Sequence, residues 1–187
     1  MTVGNPGLDK LRRGEMLTEA GLERVRRSRE TALAWLDLPR ARIDLGYLHL
    51  RRALLANERG DLPEARAELE EAVAAFVRGL SREPVDPYAW HELAYAHLYA
   101  ARPERAVVAL AMSYRTGRYV PPLAPSRARL ALVLWEGLAE DLRPWALREL
   151  TIAHRRDRET LETFARTLGL ERRLRELLGL ATGGYAF

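Results

Sequence analysis

The sequence predicts an all-α fold, an α-solenoid of helix hairpins with capping helices at both ends. Three observations carry that expectation. Residues Pro87 to Ser113 read as two amphipathic helices joined by a tight turn: Trp90, Leu93, Ala94 and His97 fall at i, i+3, i+4 and i+7, one helical stripe. Pro103 disfavours helical geometry at Arg102 and suits the first turn of a new helix. A small-x3-Leu-x2-small pattern then recurs as Ala65/Leu69/Ala72, Ala106/Leu110/Ser113 and Ala146/Leu150/Ala153, each after a turn holding Pro63, Pro103 or Pro144. The first alanines of the three sets lie 41 and then 40 residues apart. A single helix pair cannot bury its apolar face alone, so recurring pairs must stack.

In chain order, residues 1–16 hold Gly4-Asn5-Pro6-Gly7 and no clear period, which reads as a loose N-terminal arm. Residues 17–180 read as one domain. Thr18 is a candidate N-cap with Glu19 in the first turn, and a helix follows over 18–36 until Asp37-Leu38-Pro39 ends it. The first unit spans 41–80. A helix over 41–58 stops at Arg59-Gly60-Asp61, where Gly60 fits the left-handed position after a helix end. Asp61 and Glu64 make a capping-box pattern, and Pro63 sits just inside the helix that runs to Leu80.

The second unit, 87–116, is the central hairpin. Three prolines between 121 and 125 forbid a helix through Gly117–Pro125. The third unit, 126–156, begins with Ser126 as a cap, runs as a helix to Leu138, turns at 139–142 and reopens at Pro144. Asp157 caps a helix to Thr167, Gly169 breaks it, and a last helix over 170–180 completes a C-terminal cap. Residues 181–187 read as a loose tail.

The chain has 187 residues, enough for one domain with its own core. No apolar run approaches the ~18 residues that a membrane-spanning helix needs, and the first residues lack an apolar signal core, so a cytoplasmic location is expected. The absence of cysteine excludes disulfides, thiolate nucleophiles and cysteine metal sites. Lys10 is the single lysine, an arginine bias that points to a GC-rich, bacterial-like genome. Residues 1–60 carry 12 basic and 8 acidic side chains, residues 61–105 carry 5 and 9, and residues 106–187 carry 13 and 9. An acidic middle between basic flanks argues against one continuous nucleic-acid track.

The central hairpin resembles the tetratricopeptide repeat (TPR), whose signature is W-x2-L-G-x2-Y, then A-x3-F and a proline. Trp90, Leu93 and Ala106 match; Ala94 stands for the glycine, His97 for the tyrosine and Leu110 for the phenylalanine. The resemblance covers about 41–156 and is strongest in the middle. It implies a right-handed solenoid whose first helices line a concave groove. That groove would hold Tyr47, Leu50, Leu54 and Asn57 from the first unit, Tyr88, His91, Tyr95 and Tyr99 from the second, and Ala131 and Trp135 from the third. His91 and Tyr95 take places where the carboxylate-clamp version of the family uses Lys, Arg and Asn, so chaperone-tail binding is not implied.

The expectation is therefore a protein-interaction module or adaptor that binds a peptide or helix of a partner, with no cofactor, no metal and no enzymatic role. The alternative is a structural subunit that self-associates through end faces or its C-terminal helices, using Leu161, Phe164, Leu168 and Leu170. His91-Glu92 lacks the second histidine of H-E-x-x-H, since position 95 is Tyr. The run Arg24-Val-Arg-Arg-Ser-Arg29 faces Glu19, Glu23 and Glu30 at pairing distance, so it reads as a solvated helix face. Arg155-Arg156-Asp157-Arg158 reads the same way.

Overall fold

The computed structural model describes residues 10, 17–35 and 38–179. The arm expected over 1–16, Lys10 apart, the helix end expected at 36–37, the last residue of the helix expected over 170–180, and the tail expected over 181–187 lie outside the described residues. Those residues form nine α-helices and one 3-10 turn, with no strand among them. The helices are α1 (Glu19–Trp35), α2 (Pro39–Glu58), α3 (Leu62–Leu80), α4 (Pro87–Tyr99), α5 (Pro103–Thr116), α6 (Ala124–Leu134), α7 (Arg143–Arg156), α8 (Arg158–Thr167) and α9 (Glu171–Leu177). The 3-10 turn, Trp135–Gly137, follows α6.

Local chemistry sets most of these boundaries. Thr18 Oγ1 accepts the Gly21 N–H at 3.2 Å at the start of α1. Pro39 opens α2 at a position where its missing N–H costs nothing, rather than closing the helix before it. Asp61 accepts the Glu64 N–H at 3.1 Å. The reciprocal half of the expected capping box does not form, because the Glu64 carboxylate pairs with Arg59 at 2.9 Å. Asp86 caps α4 by accepting the Tyr88 and Ala89 N–H groups, each at 3.0 Å, and its other oxygen accepts from Arg40 at 2.5 Å, tying the starts of α2 and α4 together.

Ser126 does not cap. The turn at Val120–Leu123 already starts α6, and Ser126 Oγ donates to the Leu123 carbonyl inside the first turn. The helix also tightens at Trp135 instead of running on to Leu138, where Gly137 passes so close to Val107 that an added Cβ would lie 2.7 Å from it. Asp157 caps α8 through the Thr160 N–H.

Three hairpins, α2–α3, α4–α5 and α6–α7, make up the body. Each packs on the next through α3–α4 and α5–α6, and the first helices of successive hairpins also touch, α2 on α4 and α4 on α6. The recurring stripe faces inward in all three: Ala65, Leu69, Ala72, then Ala106, Leu110, Ser113, then Ala146, Leu150, Ala153 are buried. Within α2–α3 the helices interlock through glycine notches. An added Cβ at Gly46 would fall 2.7 Å from the Phe76 ring, and one at Gly79 would fall 2.6 Å from Ile43 and 3.0 Å from the Pro39 carbonyl.

The main core runs continuously from Leu22 on α1 to Ala146 on α7. A second, smaller core gathers Ala128, Leu132, Leu150, Ala153, Leu161, Ala165 and Leu174 under α8 and α9, and Trp135 packs against both. Part of the arginine-rich run on α1 lies on an outer face, where Arg26 bridges Glu23 and Glu30 at 2.7 and 2.8 Å, but Val25 is buried and Arg29 turns inward to the buried Asp44 on α2 at 3.5 Å. Hydrogen bonds from Arg26 and Arg27 hold the Glu23 carboxyl down to about 2.

Candidate partner-binding cleft

Of the ten residues expected along a groove, Ala131 is wholly buried, and the other nine separate into three environments. Tyr47, Leu50 and His91 are buried and present no surface to a partner. Tyr47 meets Phe76 edge-on, with ring centroids 5.3 Å apart. Leu54, Tyr95 and Trp135 are half-buried, while Asn57, Tyr88 and Tyr99 are exposed. The cause on α2 is α1, which packs along it and covers part of the expected groove face. Leu17 and Leu22 share a small recess with Leu54 and Leu55. Trp135 is occupied on one face by the Arg143 guanidinium, 5.6 Å from the ring centre.

On α4 the expected stripe is a ladder of rings. His91 meets Tyr95 edge-on at 4.9 Å, and Tyr95 stacks on Tyr99 at 6.0 Å with the planes 22° apart. The ladder starts in the interior and ends at the surface. At its buried end His91 Nδ1 lies 3.2 Å from the Glu92 carboxylate. His91 Nε2 has no hydrogen-bond partner. Midway, the Tyr95 hydroxyl donates to the Ser126 carbonyl at 3.4 Å, and burial pushes its pKa up to about 12, so it stays a donor. Tyr99, 54 % exposed, is the accessible end.

Tyr99 opens into a cleft of about 490 Å³ between two hairpin tips. Asn57 is on its wall, so two of the expected residues converge there. Leu62, Ala65 and Leu69 give it an apolar lining, and Arg66, Glu70 and Arg102 give it charge. Leu62 is largely exposed. Arg102 reaches across from the α4–α5 turn to pair with Glu70 on α3. The cleft thus opens at the tips of the hairpins, whereas the expected groove runs along the first helices.

Both tips are built alike. After α2, the Gly60 N–H donates to the Asn57 carbonyl and the Asp61 N–H to Ala56; after α4, Ala101 donates to Leu98 and Arg102 to His97. This is the paired-bond helix ending that needs a left-handed residue. Gly60 supplies it at φ 77°, and Ala101 at φ 55°. Leu62, Arg66, Leu69, Glu70 and Arg102 are absent from the sequence-derived set. The signal for Leu62 was present: an apolar residue next to a cap, on the solvent side of a helix start.

A deeply buried cluster of charge lies elsewhere, on α5, α6 and α7. Arg127 on α6 donates through two nitrogens to Glu149 on α7, and through the third to the Gly117 carbonyl at 2.7 Å. The Tyr114 hydroxyl on α5 donates to the same carboxylate at 3.1 Å, and its ring lies 4.6 Å under the guanidinium. Burial pushes the Glu149 carboxyl above the usual carboxylate range despite these donors. A shallow recess of about 10 Å³ reaches Glu149 alone of the three, and the cluster's chemistry is to pin three helices together. Among the described residues, no three His, Asp or Glu side chains converge as a metal-ligand set.

The apolar set on the C-terminal helices is also partly spent. Leu161 is buried in the second core, Phe164 and Leu170 pack against it, and Leu168 remains half exposed. None of the described helices is long and apolar enough to cross a membrane. Comparison of the chain with protein-family models, with curated proteins and with solved structures gives no match.

Proposed function

We propose that the chain is a protein-interaction module built as a right-handed α-solenoid of TPR-like hairpins, with α1 and α8–α9 as its caps. It holds a peptide or helix of a partner protein. The stacking of successive hairpins and the inward-facing recurring stripe support the solenoid reading. The carrying observation for binding is the cleft between the hairpin tips, where exposed Tyr99 and Leu62 stand beside Asn57 and Arg66. Tyrosine gives a partner a broad apolar face with a polar tip. Arg66 has room to meet a carboxylate of the incoming segment, because its guanidinium forms no ion pair with any described residue. Tyr88, 38 % exposed at the other end of α4, extends the contact along that helix.

The test is affinity capture from lysate with wild type and with a Tyr88→Ala/Tyr99→Ala variant, each checked for helicity by circular dichroism. A protein held by wild type and lost by a fully helical variant supports the reading. Equal capture by both sinks it.

A further inference from the structure

We propose that the face formed by the α5–α6 loop and the outer side of α7 binds single-stranded nucleic acid. The repeated stripe Ala146, Leu150 and Ala153 points inward, so the outward side of α7 carries Arg148, Ile152 and Arg155, with Arg156 and half-buried Trp145, which packs against the main core, on its flank. Arg148, Ile152, Arg155 and Arg156 are exposed and Trp145 is half-buried. The loop brings Arg118 and Tyr119 to the same face. Arg118 lies over the Trp145 ring at 5.6 Å, and Arg148 lies over the Tyr119 ring at 5.4 Å. Tyr119 is 68 % exposed.

Four of these arginines, at 118, 148, 155 and 156, make no ion pair with any described carboxylate. Among the nearby acids Glu149 pairs with Arg127, Asp141 lies 3.9 Å from Arg115, Asp157 caps α8 as a carboxylate, and Glu140 and Glu159 are exposed. Residues 143–159 carry five arginines against three acids, so the local charge is positive, although residues 61–105 of the chain are acidic.

The recess among Arg118, Tyr119, Trp145, Arg148 and Glu149 holds only about 10 Å³, so the face is shallow and offers surfaces for stacking and ion pairing instead of an enclosed pocket. What the face offers is the exposed Tyr119 ring with Arg148 over one side, the Arg118 guanidinium plane over half-buried Trp145, and two further cations along about 15 Å of helix. Stacking surfaces interleaved with unpaired arginines match bases and phosphates of an unpaired strand. A duplex would offer its phosphates and keep its bases from Tyr119.

Fluorescence anisotropy with labelled oligouridine and oligodeoxythymidine, each about fifteen nucleotides long, tests this. Affinity is measured between about 50 and 200 mM salt. Neutralising four phosphates gives a slope of log K against log salt near about −3. Arg148→Ala should make that slope shallower by about 0.7, and Arg155→Ala/Arg156→Ala by about twice as much. Tyr119→Ala should weaken binding about tenfold and leave the slope unchanged. All these positions are on the surface, and unchanged circular dichroism shows that the variants fold. Tighter binding of oligouridine assigns an RNA strand and tighter binding of oligodeoxythymidine a DNA strand; either supports the site. No binding at low salt overturns it. So does binding of labelled polyglutamate as tight as that of the oligonucleotides, which would make the ligand an acidic protein, and so does an affinity indifferent to Tyr119→Ala.

Discussion

His97 stands where the TPR signature has tyrosine, 6 % exposed on the inner stripe of α4, with Nδ1 lacking a hydrogen-bond partner. Burial lowers its pKa, and the charges of Arg105 and Arg102 lower it further against the opposing pull of Glu70. A depressed histidine pKa means that the folded chain resists a proton the unfolded chain accepts. The stability this contributes is whole above the unfolded value of 6.5 and is lost as pH falls through the folded value. Urea midpoints of wild type should therefore drop below about pH 6.5 more steeply than those of His97→Leu, which keeps similar volume and cannot charge. Parallel losses in the two proteins would mean that the imidazole is protonated in the fold at no cost. The same burial marks the limit of reading side chains by spacing. Tyr47 and His91 fall on the expected face of their helices, yet the interior holds both.

Helix ends were the most legible elements, because their chemistry is local. The ending at Gly60 follows from one glycine and the aspartate behind it, and the same pair of bonds closes α8 around Gly169 at φ 67°. At the end of α4 the left-handed residue is Ala101, where a Cβ meets the carbonyl and costs about 1–2 kcal/mol. Ala101→Gly removes that strain, while the freer unfolded chain takes back about 0.4–1 kcal/mol. The variant should be more stable by about 0.5–1 kcal/mol in urea unfolding, and a loss of stability would show that the alanine methyl packs to advantage at the tip.

What was not legible is how elements meet. Nothing local in Gly46 or Gly79 says that Phe76 and Ile43 fill the space beside them. Ser126 looks like a cap by type, but the proline-rich segment before it had already started the helix. The position of α1 is a tertiary choice, and it decides that Leu54 shares a small recess with Leu17 and Leu22 instead of standing on an open groove. The cleft at the hairpin tips escaped for the same reason, since its walls come from turns some forty residues apart in sequence.

At the scale of the molecule, every hairpin touches its neighbours in sequence, and the apolar interior divides into a long core and a small C-terminal one. When contacts run only between neighbours, stability approximates a sum of local terms and interfaces, and damage at one end need not travel. Leu161 is 3 % exposed in the small core, and Leu161→Ala should cost about 2–5 kcal/mol there. Amide hydrogen exchange should then lose protection in α8, α9 and the facing turns of α6 and α7. Protection in α2, α3 and α4, anchored by Leu48, Phe76 and Leu93 in the long core, should change little. Trp135 is the joint to watch, because it packs against both cores. If Leu161→Ala instead strips protection evenly from α2 to α9, the two cores unfold as one cooperative body. Trp135 and the Tyr114–Glu149 hydrogen bond would then be rigid couplings, the one between the two cores and the other between hairpins, and the neighbour-by-neighbour account of the fold would be wrong.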